Sequence, residues 1–145
     1  MKTLIRNILA VVVGVVLGGS VNMLLITLTP LLIPPPPGVD LTDANSIAAS
    51  IHLFGPKNFV MPFLAHALGT LVGALAAFLI AASHRPVFAG VIGVVFLAGG
   101  IAASFMIPAP VWFIVLDIVV AYLPMAWIGI LLGRRITRGN NVATA

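Results

Sequence analysis

The sequence predicts an all-α integral membrane protein: a four-helix transmembrane bundle with a short external amphipathic helix, folded as a single domain over residues 1–145. Three observations carry that prediction. Of the 145 residues, 61% are hydrophobic and 7% are charged, too few charges to solvate a compact water-soluble surface. Four almost uncharged segments each reach the ~20 residues that an apolar helix needs to cross a bilayer. Between them lie Pro-, Gly- and charge-bearing stretches that end one helix and begin the next. The lipid bilayer is therefore the expected solvent, and a mean hydropathy of +1.24 argues equally against a disordered chain.

The first span is expected at about residues 4–31. It follows Lys2 and Arg6, and no charged residue occurs from Asn7 to Val39. That is much longer than the roughly 7 to 15 residue core of a secretory signal, so the segment reads as a retained anchor. An external connection, 34–58, comes next. Its run Pro34 to Pro37 predicts a stiff polyproline spacer. Beyond it Ala44, Ile47, Ala48, Ile51 and Phe54 recur at helical spacing, the pattern of an amphipathic helix lying at an interface. Asp40 or Thr42 is the expected cap, and Gly55-Pro56 the stop signal.

The remaining spans are expected at about 59–82, 87–107 and 111–133, with a tail over 134–145. The connections "SHRP" and "PAP" are short, so sequential helices should be antiparallel neighbours. Spans two to four then form a sheaf, with the first joined to it through the longer excursion. Lys2, Arg6, Arg85, Arg134, Arg135 and Arg138 fall on one side of this threading, while Asp40, Asp43 and Lys57 fall on the other. Basic residues in short loops stay cytoplasmic, which predicts both termini inside.

Two features bear on packing. Gly14 with Gly18 and Gly69 with Gly73 are small residues one turn apart, the spacing that lets membrane helices approach closely; the partner is either within the chain or in a second copy. Pro124, inside the fourth span, removes the donor for the Val120 carbonyl and predicts a kink or a local opening.

The polar residues converge in depth. At 1.5 Å per residue, Asp117 lies about 9 to 10 Å from the start of its span; His66 on span two and Asn22 on span one reach a similar level. Ser104 sits slightly nearer the external side, and Tyr122 and Thr70 slightly deeper. An unpaired Asp in mid-span costs on the order of 2.5 to 3.5 kcal/mol, so Asp117 should face the bundle. The expected site is thus a buried cluster of Asp117, His66 and Asn22, with Ser104 and Tyr122 as further donors. Such a cluster is packing glue, a site for a proton, an ion or a ligand, or a site completed only by another protein chain.

Other chemistry is poorly provided for. Basic residues in scattered small groups exclude the continuous face that nucleic acid needs. The chain has no cysteine and three histidines, so neither a thiolate nor a metal site is expected, and no cofactor is implied. Glutamate is absent and no nucleophile elbow occurs, so no enzyme activity is expected. The stretches "HALGTLVGALAAFLIAASHR" and "PAPVWFIVLDIVVAYLPMAWIG" resemble those of small, uncharacterised four-span bacterial inner-membrane proteins without an assigned activity. The resemblance implies a bacterial inner (plasma) membrane location and nothing about activity. Two functional readings follow: a structural or accessory subunit of a membrane assembly, or a small oligomeric channel or proton-coupled transporter using the Asp/His cluster. Expected partners are lipid, other copies of the chain or other membrane subunits.

Overall fold

A computed structural model describes the backbone of residues 1–143 and the side chains of residues 1–139. Residues 144 and 145, the end of the expected tail, lie outside the described residues. All regular elements among the described residues are helices: α1 (Lys2–Leu32), α2 (Ala44–Ser50), α3 (Val60–Ile80), α4 (Arg85–Met106), α5 (Val111–Val120) and α6 (Leu123–Ala143). Four stretches, Lys2–Leu32, Pro56–Ile80, Arg85–Met106 and Val111–Gly139, are long and apolar enough to cross a membrane.

The central helix is α3, which packs against α1, α4 and α6, most extensively against α1. The first span is therefore not peripheral to a sheaf of the other three. The reason is the reciprocal fit of four glycines. A Cβ on Gly14 would lie 2.8 Å from the Gly73 carbonyl oxygen, and one on Gly18 would lie 2.6 Å from that of Gly69. The reverse approaches are equally close, 2.6 Å from Gly73 to the Gly14 oxygen and 2.8 Å from Gly69 to the Gly18 oxygen. The two stripes serve one another within the chain, backbone against backbone. Adjoining this stripe, α3 contributes Ala74, Ala77 and Phe78 to a core completed by Ala89 and Ile92 of α4 and by Ala126 and Ile130 of α6. Gly133 leaves the space that the Phe78 ring occupies.

The fourth span opens just before Pro124, the second of the two outcomes expected there. It is interrupted at Ala121 and Tyr122, between α5 and α6. Pro124 then stands in the first turn of α6, where its missing N–H is no loss. Instead of kinking a helix interior, the proline starts a new helix. At its far end α6 runs on through Arg134, Arg135 and Arg138 to Ala143, so the described part of the expected tail is helical.

The excursion also departs in detail. The proline run ends in a turn, closed by the Val39 amide donating to the Pro36 carbonyl at 3.3 Å. Gly38 supplies the left-handed backbone there, with φ of 83°, as a type II turn requires. The cap of α2 is Asp43, not Asp40 or Thr42: its carboxylate accepts from the Asn45 amide at 2.9 Å. Asp40 instead accepts from the Thr42 hydroxyl at 2.7 Å and the Thr42 amide at 2.8 Å. These bonds hold its exposed carboxyl below the ordinary Asp range, the hydroxyl contributing most. The α-helix stops at Ser50 and tightens into a 3₁₀ turn, Ile51–Leu53; a second turn, Pro56–Phe59, leads into α3.

At the opposite end of the bundle, where the chain starts, Asn7 is buried and closes α3. Its Oδ1 accepts from the amides of Ala82 at 2.9 Å and Ser83 at 3.3 Å, and its Nδ2 donates to the Ser83 hydroxyl at 2.9 Å. Arg6 Nε donates to the Ile80 carbonyl at 2.7 Å, and Arg85 Nε to the Ala81 carbonyl at 3.1 Å. Cations and donors at a helix C-terminus satisfy its orphan carbonyls and oppose its partial negative charge.

Candidate functional site

The site is built where α3 meets the broken fourth span. His66 faces Asp117 with Nδ1 2.9 Å from both carboxylate oxygens, the one acid–base ion pair among the described residues. Tyr122 donates its hydroxyl to Asp117 Oδ2 at 2.7 Å. The Tyr122 and His66 rings stack, with centroids 5.8 Å apart and planes 28° from parallel. One turn further along α3, the buried Thr70 donates to the His66 carbonyl at 2.8 Å.

The helix break brings Tyr122 to Asp117. On a continuous helix, residues five apart point about 140° away from each other. The turn at Ala121 and Tyr122 cancels that divergence, and Tyr122 is buried to 1% exposure with its hydroxyl on the carboxylate. The ring needs room on the facing helix, and Gly100 of α4 supplies it: a Cβ there would collide with the Tyr122 hydroxyl and ring.

Asn22 and Ser104 share the level but not the bonds. Asn22 lies beside Gly69 and lines a cavity of about 240 Å³ together with His66, Phe96, Gly100 and Tyr122. Ser104 turns its hydroxyl back to the Ile101 carbonyl at 2.7 Å. It lines a second, larger cavity of about 680 Å³. That cavity extends from the excursion, where Thr42 and Ile47 border it, down to His66 and Asp117. Its walls are mostly apolar and include Phe54, Phe59 and Phe113. His66 and Gly100 border both cavities.

The two nitrogens of His66 have different surroundings. Nδ1 is committed to Asp117, while Nε2 makes no hydrogen bond among the described residues. No buried side-chain nitrogen or oxygen there lacks a partner, so Nε2 is accessible rather than sealed; the His66 side chain is 22% exposed and that of Asp117 7%. An imidazole held at Nδ1 by a carboxylate can take or give a proton at Nε2 without breaking that bond.

Thr70 is expected near this level but not as part of the cluster, and Gly100, whose missing side chain makes room for Tyr122, is not selected by depth at all. A signal for Gly100 exists: a buried tyrosine needs an opposing residue without a side chain at its level. No group of three or more His, Cys, Asp or Glu side chains comes together among the described residues. No family model, curated protein or solved structure matches the chain, so what it does has to be read from the chemistry of these side chains.

Proposed function

We propose that the chain is a multi-pass protein of the bacterial inner membrane, with both termini cytoplasmic, that works as a small proton-coupled transporter through Asp117 and His66. One observation carries this reading: the pair forms the floor of a 680 Å³ cavity and leaves an imidazole nitrogen accessible. Polar groups that serve only as glue between helices are satisfied by one another inside a packed interface. Here the Asp117 carboxylate is fully engaged by His66 and Tyr122, while His66 keeps one end free. Intramembrane carboxylate and imidazole pairs facing a cavity are the groups that relay protons in pumps and transporters. The orientation rests on the clustering of Arg6, Arg85 and the α6 arginines at one end of the bundle.

The test is a pH gradient imposed across proteoliposomes while cationic, neutral and anionic solutes are added in turn. Wild type should show solute-dependent proton movement, and Asp117→Asn, folded but without a titratable carboxylate, should show none. Absence of Asp117-dependent proton movement with every solute class would overturn the transport reading.

The accessory-subunit reading draws on a different observation. Large apolar side chains such as Val87, Val94 and Phe105 of α4 are exposed, and a Cβ at Gly90 or Gly99 would meet nothing within 4 Å. Lipid, a second copy or another subunit would cover that face. Native mass spectrometry after gentle extraction separates these, since only the subunit reading predicts a stable complex with other polypeptides.

A further inference from the structure

We infer that the larger cavity takes a lipophilic cation, and that binding it releases one proton from His66. This rests on the transport reading above and adds the class of substrate.

The first ground is charge. Among the described residues, Asp117 is the sole acidic residue lining either cavity, and neither is lined by Lys or Arg. Around the pair, α1 contributes the uncharged Asn22, α4 the side-chain-free Gly100, the excursion the uncharged Thr42 and Asn58, and the helix break Tyr122. The titratable groups facing Asp117 are therefore His66 and Tyr122, and protonated His66 is the cation that can balance the carboxylate. In a low-dielectric site an unbalanced carboxylate is strongly disfavoured. An incoming cation can take over that balancing role.

The exchange conserves charge and atoms. Before binding, the site holds the Asp117 carboxylate and a protonated imidazole, net zero. After binding, it holds the carboxylate, a neutral imidazole and the cation, again net zero. The proton leaves from Nε2 to water while Nδ1–H continues to donate to Asp117, so the ion pair becomes a neutral-donor hydrogen bond without rearrangement. A neutral solute would release no proton, and an anionic one would meet the carboxylate with nothing to offset it.

The second ground is the wall. About 300 to 1,000 Å³ is the usual size of a small-molecule pocket, mostly apolar with a few convergent polar groups, and 680 Å³ falls within it. In that wall Phe59 has its ring centroid 4.8 Å from that of Phe113 and 6.2 Å from that of Phe54. Aromatic faces attract poorly hydrated cations. The cavity thus matches a cation with a large apolar body better than a small, strongly hydrated metal ion, for which the two carboxylate oxygens of Asp117 are the only anionic ligands.

Tetraphenylphosphonium is a suitable probe because it carries a fixed charge and no proton of its own. Its binding to purified protein in detergent would be measured by calorimetry in buffers of different ionisation enthalpy, which counts protons released. Wild type should bind it with release of about one proton, and apparent affinity should weaken by up to about tenfold for each unit that the pH is lowered, the limit for one-for-one competition. Asp117→Asn should weaken binding at least about tenfold, Asp117→Glu should restore most of it, and in His66→Gln, where the unbalanced Asp117 would itself carry the proton, the release should move to a different pH range. No binding by wild type, binding without proton release, or undiminished binding by Asp117→Asn would overturn the inference. If a neutral or anionic solute drives Asp117-dependent proton movement while the phosphonium does not bind, the substrate class is wrong and the transport reading stands. If no solute moves protons, the transport reading itself fails.

Discussion

The ring and hydroxyl of Tyr122 occupy the volume that a side chain on Gly100 would fill, which makes an otherwise featureless glycine of α4 a condition for the Tyr122–Asp117 hydrogen bond. Gly100→Ala should therefore expel or tilt Tyr122 and destabilise the fold by about 1–3 kcal/mol, the range for overpacking a core. Thermal unfolding in detergent would measure the loss. Gly99→Ala is the control, because its Cβ would meet nothing within 4 Å, and it should change stability by less than about 0.5 kcal/mol.

A matching contrast applies to the clasp between α1 and α3. Gly18→Val and Gly69→Val both push a side chain against a carbonyl oxygen that belongs to backbone and cannot swing aside. Each should lose about 1–3 kcal/mol or more, whereas Gly19→Ala, whose Cβ is unobstructed, should be close to neutral. Equal tolerance at positions 18 and 19 in denaturant titrations would contradict the close approach.

Removing the phenol hydroxyl alone isolates its bond to the carboxylate. Tyr122→Phe keeps the stacked ring and deletes the 2.7 Å donor to Asp117. Hydrogen bonds to charged groups contribute about 1.5–3 kcal/mol, so a loss of that size is expected. The same substitution made on Asp117→Asn should cost less, and the difference in a double-mutant cycle gives the coupling.

Asn7→Ala should leave the Ala82 and Ser83 amides without their acceptor. Ala82 is exposed and Ser83 half-buried, so the loss should be that of an ordinary hydrogen bond, about 0.5–1.5 kcal/mol, and hydrogen exchange at those two amides should speed up relative to α3's interior. Unchanged exchange would mean that Asn7 does not hold this end of α3.

Acid should loosen the start of the excursion. The Asp40 carboxyl titrates below its ordinary range because the Thr42 hydroxyl and amide donate to it. A depressed carboxyl contributes stability above its unfolded value, about 4, and loses it as pH falls through the lower folded value. The Thr42 amide resonance should follow that titration, and Asp40→Asn should remove the dependence. The exposure of Asp40 keeps the effect local.

The four long apolar helices were legible because so few charges interrupt them that hydrophobic runs and prolines mark their ends. Depth was legible too, since helical rise is fixed, and it selected His66 and Asp117, which meet at 2.9 Å. Direction around each helix was not, because it depends on which faces pack. Asn22 and Ser104 therefore share the level of the pair without bonding to it. Pro124 signalled trouble in the fourth span, but a proline reads alike as a kink or a restart; the choice was made by packing that buries Tyr122 at the break. The excursion misled for a local reason: Asp40, Thr42 and Asp43 are all good caps, and Asp40 is engaged by Thr42 while Asp43 reaches Asn45.

The 51 residues that separate His66 from Asp117 also set an order of events in biosynthesis. Chains fold from the N-terminus as they are made, so in the membrane placement proposed above the helix bearing the imidazole would arrive well before the one bearing the carboxylate. A histidine can enter uncharged by leaving its proton in water. The acid, which bears the heavier penalty for crossing unaccompanied, comes last and finds its base already installed. Had the two residues been exchanged between spans, the carboxylate would have waited in lipid for its partner.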